Sequence, residues 1–209
     1  MKIAIVGAGN VGGALGKRFT ASGMSVTFGV KEGADLGALL AECGGKATAK
    51  PAKDAVKDAD VVFLAVPGSV ALEAAKGLGD LAGKVVVDCN NPIRWDAGPV
   101  WTPPPEGSLA AALAKALPGA RVVKAFNGFG AEFHADPKIG GGGVEVFLAG
   151  DDAAAKKAVS EIAERAGFTP VDSGPLRNAA VLENVAVLWI HLAMAGGRGR
   201  NIALRLLSR

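Results

Sequence analysis

The segment KIAIVGAGNVGGALGKRF, residues 2–19, determines the fold class of this chain. The apolar run Ile3 to Val6 has the length and composition of a short buried strand. Behind it, Val11, Leu15 and Phe19 recur at the spacing that places apolar side chains on one face of a helix. A strand that runs through a glycine-rich turn directly into a helix is the start of a βαβ unit. We therefore predict a mainly parallel α/β sheet.

The glycine-rich turn GAGNVG, residues 7–12, matches G-x-G-x-x-G in the strand–turn–helix context that a dinucleotide-binding turn requires. In such a turn Gly7 permits the sharp bend, Gly9 lets the backbone approach a pyrophosphate, and Gly12 lets the helix pack against the strand. The helix N-terminus adds free N–H groups and the positive end of its dipole. We predict that Gly7, Gly9, Asn10, Val11 and Gly12 bind a dinucleotide. A glycine turn without a ligand is the alternative.

The end of the second strand bears on which dinucleotide binds. NAD-binding sites place an Asp or Glu there to hold the ribose 2′-hydroxyl. Here the strand ends at Val30 and Lys31 follows, so a cation lies beside the expected position of a 2′-phosphate. We predict NADP(H) as the cofactor, bound by Lys31. The alternative is a solvated Lys31 beside Glu32, which could accept from a ribose hydroxyl.

Two further loops are expected to line the same crevice, because the carboxyl ends of parallel strands meet at one edge of the sheet. Ala65 ends the fourth strand, and Val66 and Pro67 follow it, where the chain should pass close to the nicotinamide ribose. Asn90 and Asn91 follow the fifth strand and offer amide side chains beside the nicotinamide. The alternative for Asn91, which precedes a proline, is turn initiation, and both roles are compatible.

Strand and helix patterns alternate along the chain, which predicts a Rossmann-type doubly wound parallel sheet with a small C-terminal extension ending in a long helix. We divide the chain into an NADP-binding domain, residues 1–125, and a smaller C-terminal part, residues 126–209. The smaller part is expected to form the cleft for a second substrate, the hydride acceptor, and a dimer contact. Strands are predicted at 3–6, 25–28, 46–49, 61–65, 85–87, 122–123, 144–148 and 169–171. Helices are predicted after the glycine turn, at 35–43, from Pro51, at 109–117, from an N-cap at Asp151 to Arg165, and after Pro175.

Two segments lack a clear pattern. Residues 126–143 are loop-rich and contain four consecutive glycines. Residues 90–107 are rich in proline and contain Trp95 and Trp101, so this segment is either disordered or a wall of the cleft. Tryptophans on a mobile loop would expose apolar surface, which favours the wall.

Composition excludes several function classes. The formal net charge of +3 is too small and dispersed to indicate a nucleic-acid partner. Two cysteines, Cys43 and Cys89, fit a reducing cytoplasm better than a disulfide framework. We expect no leader, because the first strand begins at Lys2, and no membrane span, because Val185 to Ala195 is shorter than the roughly 20 residues required. A cytoplasmic location is predicted.

Together these segments resemble the NADPH-dependent F420 reductases (F420:NADP oxidoreductases) and the related reductase domain of the STEAP metalloreductases. The shared segments are residues 7–12, 28–31, 88–92, 122–127, 148–152, 172–176 and 200–207. The resemblance implies that the nicotinamide lies against Asn127, Gly128 and the chain up to Ala131. It also implies that a deazaflavin stacks over it in a cleft closed by the C-terminal segment. The acceptor would then be F420, FMN or FAD, or a quinone-like or metal-chelate oxidant.

The chain offers few side chains for proton transfer. It has no tyrosine, and of its two histidines only His134 is a candidate acid, though a weak one, because it precedes an Asp-Pro turn and should be exposed. Lys124 and Asn127 are expected to border the cleft. Hydride transfer to a flavin-like ring needs mainly close placement, so we predict no essential catalytic side chain. The alternatives are an imine or small-metabolite reductase and a non-catalytic NADPH-binding sensor.

The C-terminal helix predicts assembly. Val181, Val185, Leu188 and Leu192 form an apolar stripe, which Leu182, Ala186 and Trp189 widen. A surface this broad is either buried in the core or shared with a second subunit. We predict a two-fold homodimer with this helix at or near the interface, and a packed, hydrogen-bonded His191.

Overall fold

The computed structural model describes residues 1–207 and 209, and its centre is one eight-stranded sheet. The strands of this sheet are β1 (Ile3–Val6), β2 (Val26–Val30), β3 (Ala47–Pro51), β4 (Val61–Leu64), β5 (Val85–Asp88), β8 (Arg121–Lys124), β11 (Glu145–Gly150) and β12 (Thr169–Asp172). Their order in the sheet is β12-β11-β8-β5-β4-β1-β2-β3, and all neighbours are parallel except β11 and β8. The predicted fold class is confirmed, with one antiparallel pair.

Helices cover both faces of the sheet. They are α1 (Asn10–Ala21), α2 (Gly37–Glu42), α3 (Ala52–Lys57), α4 (Ala71–Lys76), α5 (Leu109–Ala116), α6 (Ala131–Ala135), α7 (Ala153–Arg165) and α8 (Ala179–Ile190). Short 3-10 turns precede α4 and α8 at Gly68–Val70 and Leu176–Asn178, and a π-type turn extends α8 over His191–Ala195. Of these, α4 and α6 were not predicted; α6 has five residues and contains little of the helical repeat.

The central strands follow directly from their sequence. All residues of β1, β4 and β5 are buried, as parallel strands covered by helices on both faces require. Two apolar clusters therefore form, one on each face of the sheet. The first includes an edge-to-face group of Phe19, Phe63 and Phe126, with ring centroids 5.1–6.3 Å apart. These contacts pack α1 against β4 and against the chain that follows β8.

The strand order creates the crevice. The connection from β1 runs to β2 on one side, and β4 lies on the other side of β1. Such a reversal is where open α/β sheets bind ligands, outside the carboxyl ends of the strands. The adenosine end of a dinucleotide belongs over β2, and the nicotinamide end belongs over β4, β5 and β8.

Two segments without a predicted pattern have regular structure. Residues 90–107 contain a hairpin of β6 (Ile93–Trp95) and β7 (Pro99–Trp101), so the segment is ordered. Residues 126–143 contain α6 and a small hairpin of β9 (Lys138–Ile139) and β10 (Gly142–Gly143). The division of the chain at residue 125 stays a prediction, although β11 and β12 extend the sheet of the first part.

The N-cap of α7 differs from the prediction by one residue. The Asp152 carboxylate accepts a hydrogen bond from the Ala155 N–H at 2.6 Å, so Asp152 is the cap. Asp151 instead accepts from the Leu176 N–H at 2.8 Å. Both side chains lie after β11, and only Asp152 has the N-cap to N3 spacing to Ala155.

The two edge strands of the sheet each contain a proline. Pro51 ends β3 at one edge, and Pro170 lies within β12 at the other. Pro170 is paired in register with Val146 of β11. Proline has no N–H to donate to a further strand, so both positions are typical of edges.

The C-terminal helix buries one part of its predicted apolar surface and leaves another part exposed. Leu182, Ala186 and Trp189 face the core, whereas Val181 and Leu188 are 59% and 48% exposed. His191, expected to be packed, is exposed, because it lies one residue beyond the end of α8 on the outward side.

By length and composition alone, the helix over Leu176–Ala195 could cross a membrane: it has 20 residues and a mean hydropathy of 1.4. The sequence argument that Val185 to Ala195 is too short to span a membrane was therefore incomplete, because the helix starts earlier and includes polar residues. A core helix meets the same criteria. Here the helix buries Glu183, which forms an ion pair with Lys124 in the sheet.

Candidate dinucleotide site

The glycine turn has the geometry that its sequence predicts. Gly7 has φ +98°, a conformation that favours glycine, and its N–H donates to the Gly29 carbonyl oxygen at 3.0 Å. A Cβ on Gly7 would overlap the Ala65 carbonyl oxygen, and a Cβ on Gly12 would overlap the Gly7 carbonyl oxygen. A Cβ on Gly9 would meet nothing within 4 Å. Gly7 and Gly12 are therefore required by the fold, whereas Gly9 faces open space.

The N-terminus of α1 opens onto this space. Gly9 is the N-cap residue, no side chain caps the helix, and its first turn contains no acidic residue. An open cleft of about 580 Å³ lies beside it, lined on one side by Gly9 and the exposed Asn10, and on the other by Ala131, Glu132 and Arg200. Unpaired N–H groups at a helix N-terminus favour an anion. The turn therefore fits a pyrophosphate, with Val11 half-buried behind it.

Lys31 lies one residue beyond the end of β2 and is exposed, as is Glu32. Its carbonyl oxygen accepts from the Ala34 N–H at 3.2 Å, so the backbone turns directly after β2. In the adjacent strand Lys50 is paired in register with Gly29 and is also exposed. The end of β2 therefore carries an exposed cation, Lys31, at the position where the sequence predicts it.

The loops after β4 and β5 are joined by Asn90. Its Oδ1 accepts from the Val66 N–H at 3.1 Å, and its backbone and side-chain N–H groups both donate to Asp88 Oδ1, at 3.0 and 2.9 Å. Asn90 is 5% exposed. Ala65 and Val66 are half-buried and Pro67 is exposed at the rim. The Asn90 amide thus holds the loop after β4.

Asn91 and Asn127 form a reciprocal pair. Asn91 Nδ2 donates to the Asn127 carbonyl oxygen at 2.9 Å, and Asn127 Nδ2 donates to Asn91 Oδ1 at 2.8 Å. Asn127 Nδ2 also donates to the Leu182 carbonyl oxygen of α8 at 3.0 Å. The pair joins the loops after β5 and β8 to the C-terminal helix, which brings these two predicted site residues together.

A buried charge cluster lies beneath these loops. The Lys124 ammonium donates to Asp88 Oδ2 at 2.8 Å, to Glu183 Oε1 at 3.1 Å and to the Asn90 carbonyl oxygen. All three charged side chains are fully buried. Lys124 was expected to border the cleft and does not, because its side chain turns inward to the carboxylates. Asp88 and Glu183 were not identified from sequence. A lone glutamate in the apolar stretch 179–190 was the available signal for Glu183.

The loop after β8 starts from a strained residue. Phe126 has φ +58°, which is unusual for a bulky residue, and its ring is held among other aromatic rings. The ring of His134 lies close to the Phe126 carbonyl oxygen, with Nε2 at 2.8 Å, and to the Gly130 carbonyl oxygen, with Nδ1 at 3.0 Å. His134 thereby spans the loop that contains the half-buried Gly128.

His134 is not the exposed loop residue that was expected. It lies in α6 and is 1% exposed, because the aromatic ring of Phe129, whose centroid is 4.6 Å away, covers it. Burial lowers the pKa of His134 below its ordinary value, and hydrogen bonds to the two carbonyls oppose that shift. Both ring nitrogens face backbone oxygens, so neither is directed at a ligand in the cleft.

The C-terminal segment folds back over one end of the cleft. The Arg200 guanidinium pairs with Glu132, with Nε 2.5 Å from Oε1, and lies over the Trp189 ring at 5.8 Å. Trp189 Nε1 donates to the Ile202 carbonyl oxygen at 2.6 Å. The ion pair holds the pKa of the Glu132 carboxyl below its ordinary value. Within residues 1–207 and 209, no group of three His, Cys, Asp or Glu side chains is arranged to bind a metal.

The strand order, the open position at Gly9 and the loops collected at one edge of the sheet define a dinucleotide-binding protein of the Rossmann class. Comparison with known proteins specifies the family. The family model described as NADP oxidoreductase, coenzyme F420-dependent, matches residues 2–92. The F420-dependent NADP reductase of Methanothermobacter marburgensis is 30% identical over 73% of this chain and 70% of that protein. The chain belongs to the F420-dependent NADP oxidoreductase family, as the resemblance predicted.

Two further proteins show how far the similarity extends. Metalloreductase STEAP3 of Rattus norvegicus is 32% identical over 88% of this chain, but over 36% of the metalloreductase. This chain therefore spans about a third of that relative. A crystal structure from Arthrobacter sp. FB24, described as a candidate F420-dependent NADP reductase, has a TM-score of 0.87 and 29% identity. The match covers 100% of both chains.

Proposed function

We propose that this protein transfers hydride between NADPH and a flavin-like acceptor, namely F420, FMN or FAD. The proposal rests mainly on the surroundings of Gly9: the space beside its backbone is open, and no side chain caps the helix that begins there. A pyrophosphate fits there because the backbone can approach it and the helix N–H groups can donate to it. When bound, NADPH supplies the hydride.

Other residues would hold the rest of the cofactor. Lys31 would pair with the 2′-phosphate, because a cation at the end of β2 replaces the usual carboxylate. The loop that starts at Asn127 would lie against the nicotinamide. Both amide hydrogens of Asn127 are donated within the protein, which leaves its oxygen as the group available to accept from a carboxamide. The small residues Gly128 and Ala131 would leave room for two stacked rings.

The arrangement of His134 supports a flavin-like acceptor over a carbonyl. Reduction of a carbonyl requires an acid placed beside the developing alkoxide. Both ring nitrogens of His134 face backbone carbonyls, and Lys124 donates to three buried acceptors. A ring system that delocalises the transferred charge needs placement rather than an acid, so the chain's contribution is to bind, orient and exclude water.

The test is NADPH oxidation by the purified protein with F420, FMN, FAD, a quinone, a ferric chelate and a cyclic imine as separate acceptors. We expect turnover with one or more of the flavin-like compounds. Turnover with the imine alone would overturn the proposal in favour of an imine reductase. Tight NADPH binding with no turnover would instead indicate a non-catalytic binding module.

We further propose that the protein is cytoplasmic and forms a two-fold homodimer through the outward face of α8. Val181, Leu188 and Met194 are each about half exposed or more on this face. Beside them lies a mainly apolar groove of about 400 Å³ bordered by Leu204 and Leu206. In a two-fold dimer this apolar face of one copy would pack against the same face of the second copy, so that both become buried. Light scattering at micromolar concentration tests the assembly.

A further inference from the structure

The buried cluster of Asp88, Lys124 and Glu183 lies outside the proposed binding contacts, yet it is connected to several of them. Two carboxylates face one ammonium, and none of the three side chains is exposed. Burying such groups costs free energy unless each is well paired, and a buried ion cluster is therefore weak evidence for a role in stability alone. The inference below rests on the proposed NADPH site.

All three hydrogens of the Lys124 ammonium have acceptors, so it has none left to donate to a ligand. Two of the acceptors belong to the chain segment that follows β5: the Asp88 carboxylate and the Asn90 carbonyl. Asp88 in turn accepts from both N–H groups of Asn90, and Asn90 accepts from the Val66 N–H. Lys124 therefore sets the position of the loops after β5 and β4.

Glu183 connects this arrangement to two more elements. Its Oε1 accepts from Lys124 and from the Leu109 N–H, at 2.9 Å, at the N-terminus of α5. Its Oε2 accepts from Trp101 Nε1 at 2.9 Å, so it also holds the hairpin of β6 and β7. One carboxylate thus links α8, α5, the hairpin and, through Lys124, the loops over β4 and β5.

These loops lie on the side of β1 where the nicotinamide end of the cofactor belongs, whereas the adenosine end belongs over β2. We propose that Lys124 and Glu183 are positioning residues for the nicotinamide end of the cleft. They act through Asn90 and Val66 and do not touch the cofactor. Loss of this support should weaken contacts to the nicotinamide half and leave the adenosine half unchanged.

The first test uses two tryptophans of the same hairpin. Trp101→Phe removes one hydrogen bond to Glu183 and leaves its contacts with Lys124 and Leu109, so the protein should fold. Trp95→Phe is the matched control, since Trp95 is 58% exposed. Binding of NADPH and of 2′,5′-ADP, which carries only the adenosine end, is measured by calorimetry. We expect Trp101→Phe to weaken NADPH roughly 3- to 10-fold, about the loss of one hydrogen bond, and to leave 2′,5′-ADP unchanged. Trp95→Phe should change neither.

A second variant tests the charge. Glu183→Gln keeps the shape of the side chain and removes its charge, while Glu106→Gln does the same to an exposed ion pair with Lys115. Glu183→Gln should weaken NADPH by roughly 10-fold or more, the loss of a charged hydrogen bond, again without effect on 2′,5′-ADP. In the steady state it should raise the KM for NADPH more than it lowers kcat.

The outcomes separate the two proposals. If the unmodified protein binds neither NADPH nor 2′,5′-ADP, the proposed cofactor site is wrong. If it binds both, and Trp101→Phe and Glu183→Gln bind NADPH as tightly as it does, the positioning role is wrong. If either variant weakens both ligands equally, the cluster supports the fold in general, and the positioning role is also refuted.

Discussion

The substitution Gly9→Ala should impair NADPH binding while leaving the stability of the fold nearly unchanged. The backbone of Gly9, φ −75° and ψ −159°, is open to alanine, and the new Cβ would meet nothing within 4 Å. Alanine is a poorer N-cap than glycine, which costs about 0.5–1 kcal/mol. The reduced freedom of the unfolded chain offsets this by about 0.4–1 kcal/mol. Gly9→Ala should therefore change the free energy of unfolding by less than about 1 kcal/mol.

The effect on NADPH should be far larger. A methyl group in the space of the pyrophosphate would displace it from at least one helix N–H, and a charged hydrogen bond contributes about 1.5–3 kcal/mol. This corresponds to a roughly 10- to 150-fold rise in Kd. Ligand at 100 times its Kd stabilises a protein by about 2.7 kcal/mol, and after a 100-fold loss of affinity by about 0.4 kcal/mol. The thermal shift caused by NADPH should nearly disappear.

The assay is denaturant unfolding together with NADPH calorimetry on three variants. Gly77→Ala is the control, because Gly77 ends α4 at the opposite edge of the sheet and its Cβ would make ordinary contact at 3.4 Å. Gly12→Ala is the contrasting case and should destabilise the fold by about 1–3 kcal/mol or more through overlap with the Gly7 carbonyl. If Gly9→Ala binds NADPH as tightly as the unmodified protein, the turn is not the pyrophosphate site.

Three further predictions concern other residues. Lys31→Ala should weaken NADPH roughly 10-fold or more and leave NADH unchanged in calorimetry; equal losses would remove the 2′-phosphate assignment. Burial lowers the pKa of His134 below 6.5, so in acid the unfolded chain binds a proton that the folded chain does not. The free energy of unfolding should therefore fall as pH drops through 6.5. His134→Gln should flatten that profile, whereas His191→Gln, an exposed control, should not; identical profiles would contradict the assignment. Leu188→Lys should convert the proposed homodimer to a monomer in light scattering, while Val70→Lys, an exposed change elsewhere, should not.

Local sequence patterns predicted much of the fold. Short apolar runs located the central strands β1, β4 and β5, because parallel strands that are buried on both faces are apolar throughout. The glycine turn was predictable because the spacing of its glycines between a strand and a helix is itself a sequence motif. Short elements such as α6 were missed, since five residues contain too little of the helical repeat.

The buried polar contacts of the candidate site were not predictable from local patterns. Lys124 and Glu183 are 59 residues apart, and nothing near either one indicates that they meet. His134 was expected to be exposed from its Asp-Pro neighbourhood, but the ring of Phe129 covers it. Such contacts depend on how the chain returns to the sheet after residue 126, which local composition does not encode.

The prolines of the two edge strands constrain how copies of this protein can meet. Pro51 and Pro170 each leave a gap in the row of N–H donors along the outer strands. Joining two molecules edge to edge into one continuous sheet would leave backbone carbonyls without partners at these positions. The addition of further molecules by strand pairing, which would build an open-ended fibre, is therefore disfavoured at both edges of the sheet. Association through side-chain surfaces is favoured instead, and such surfaces leave no free copy of the interface once a symmetric pair has formed.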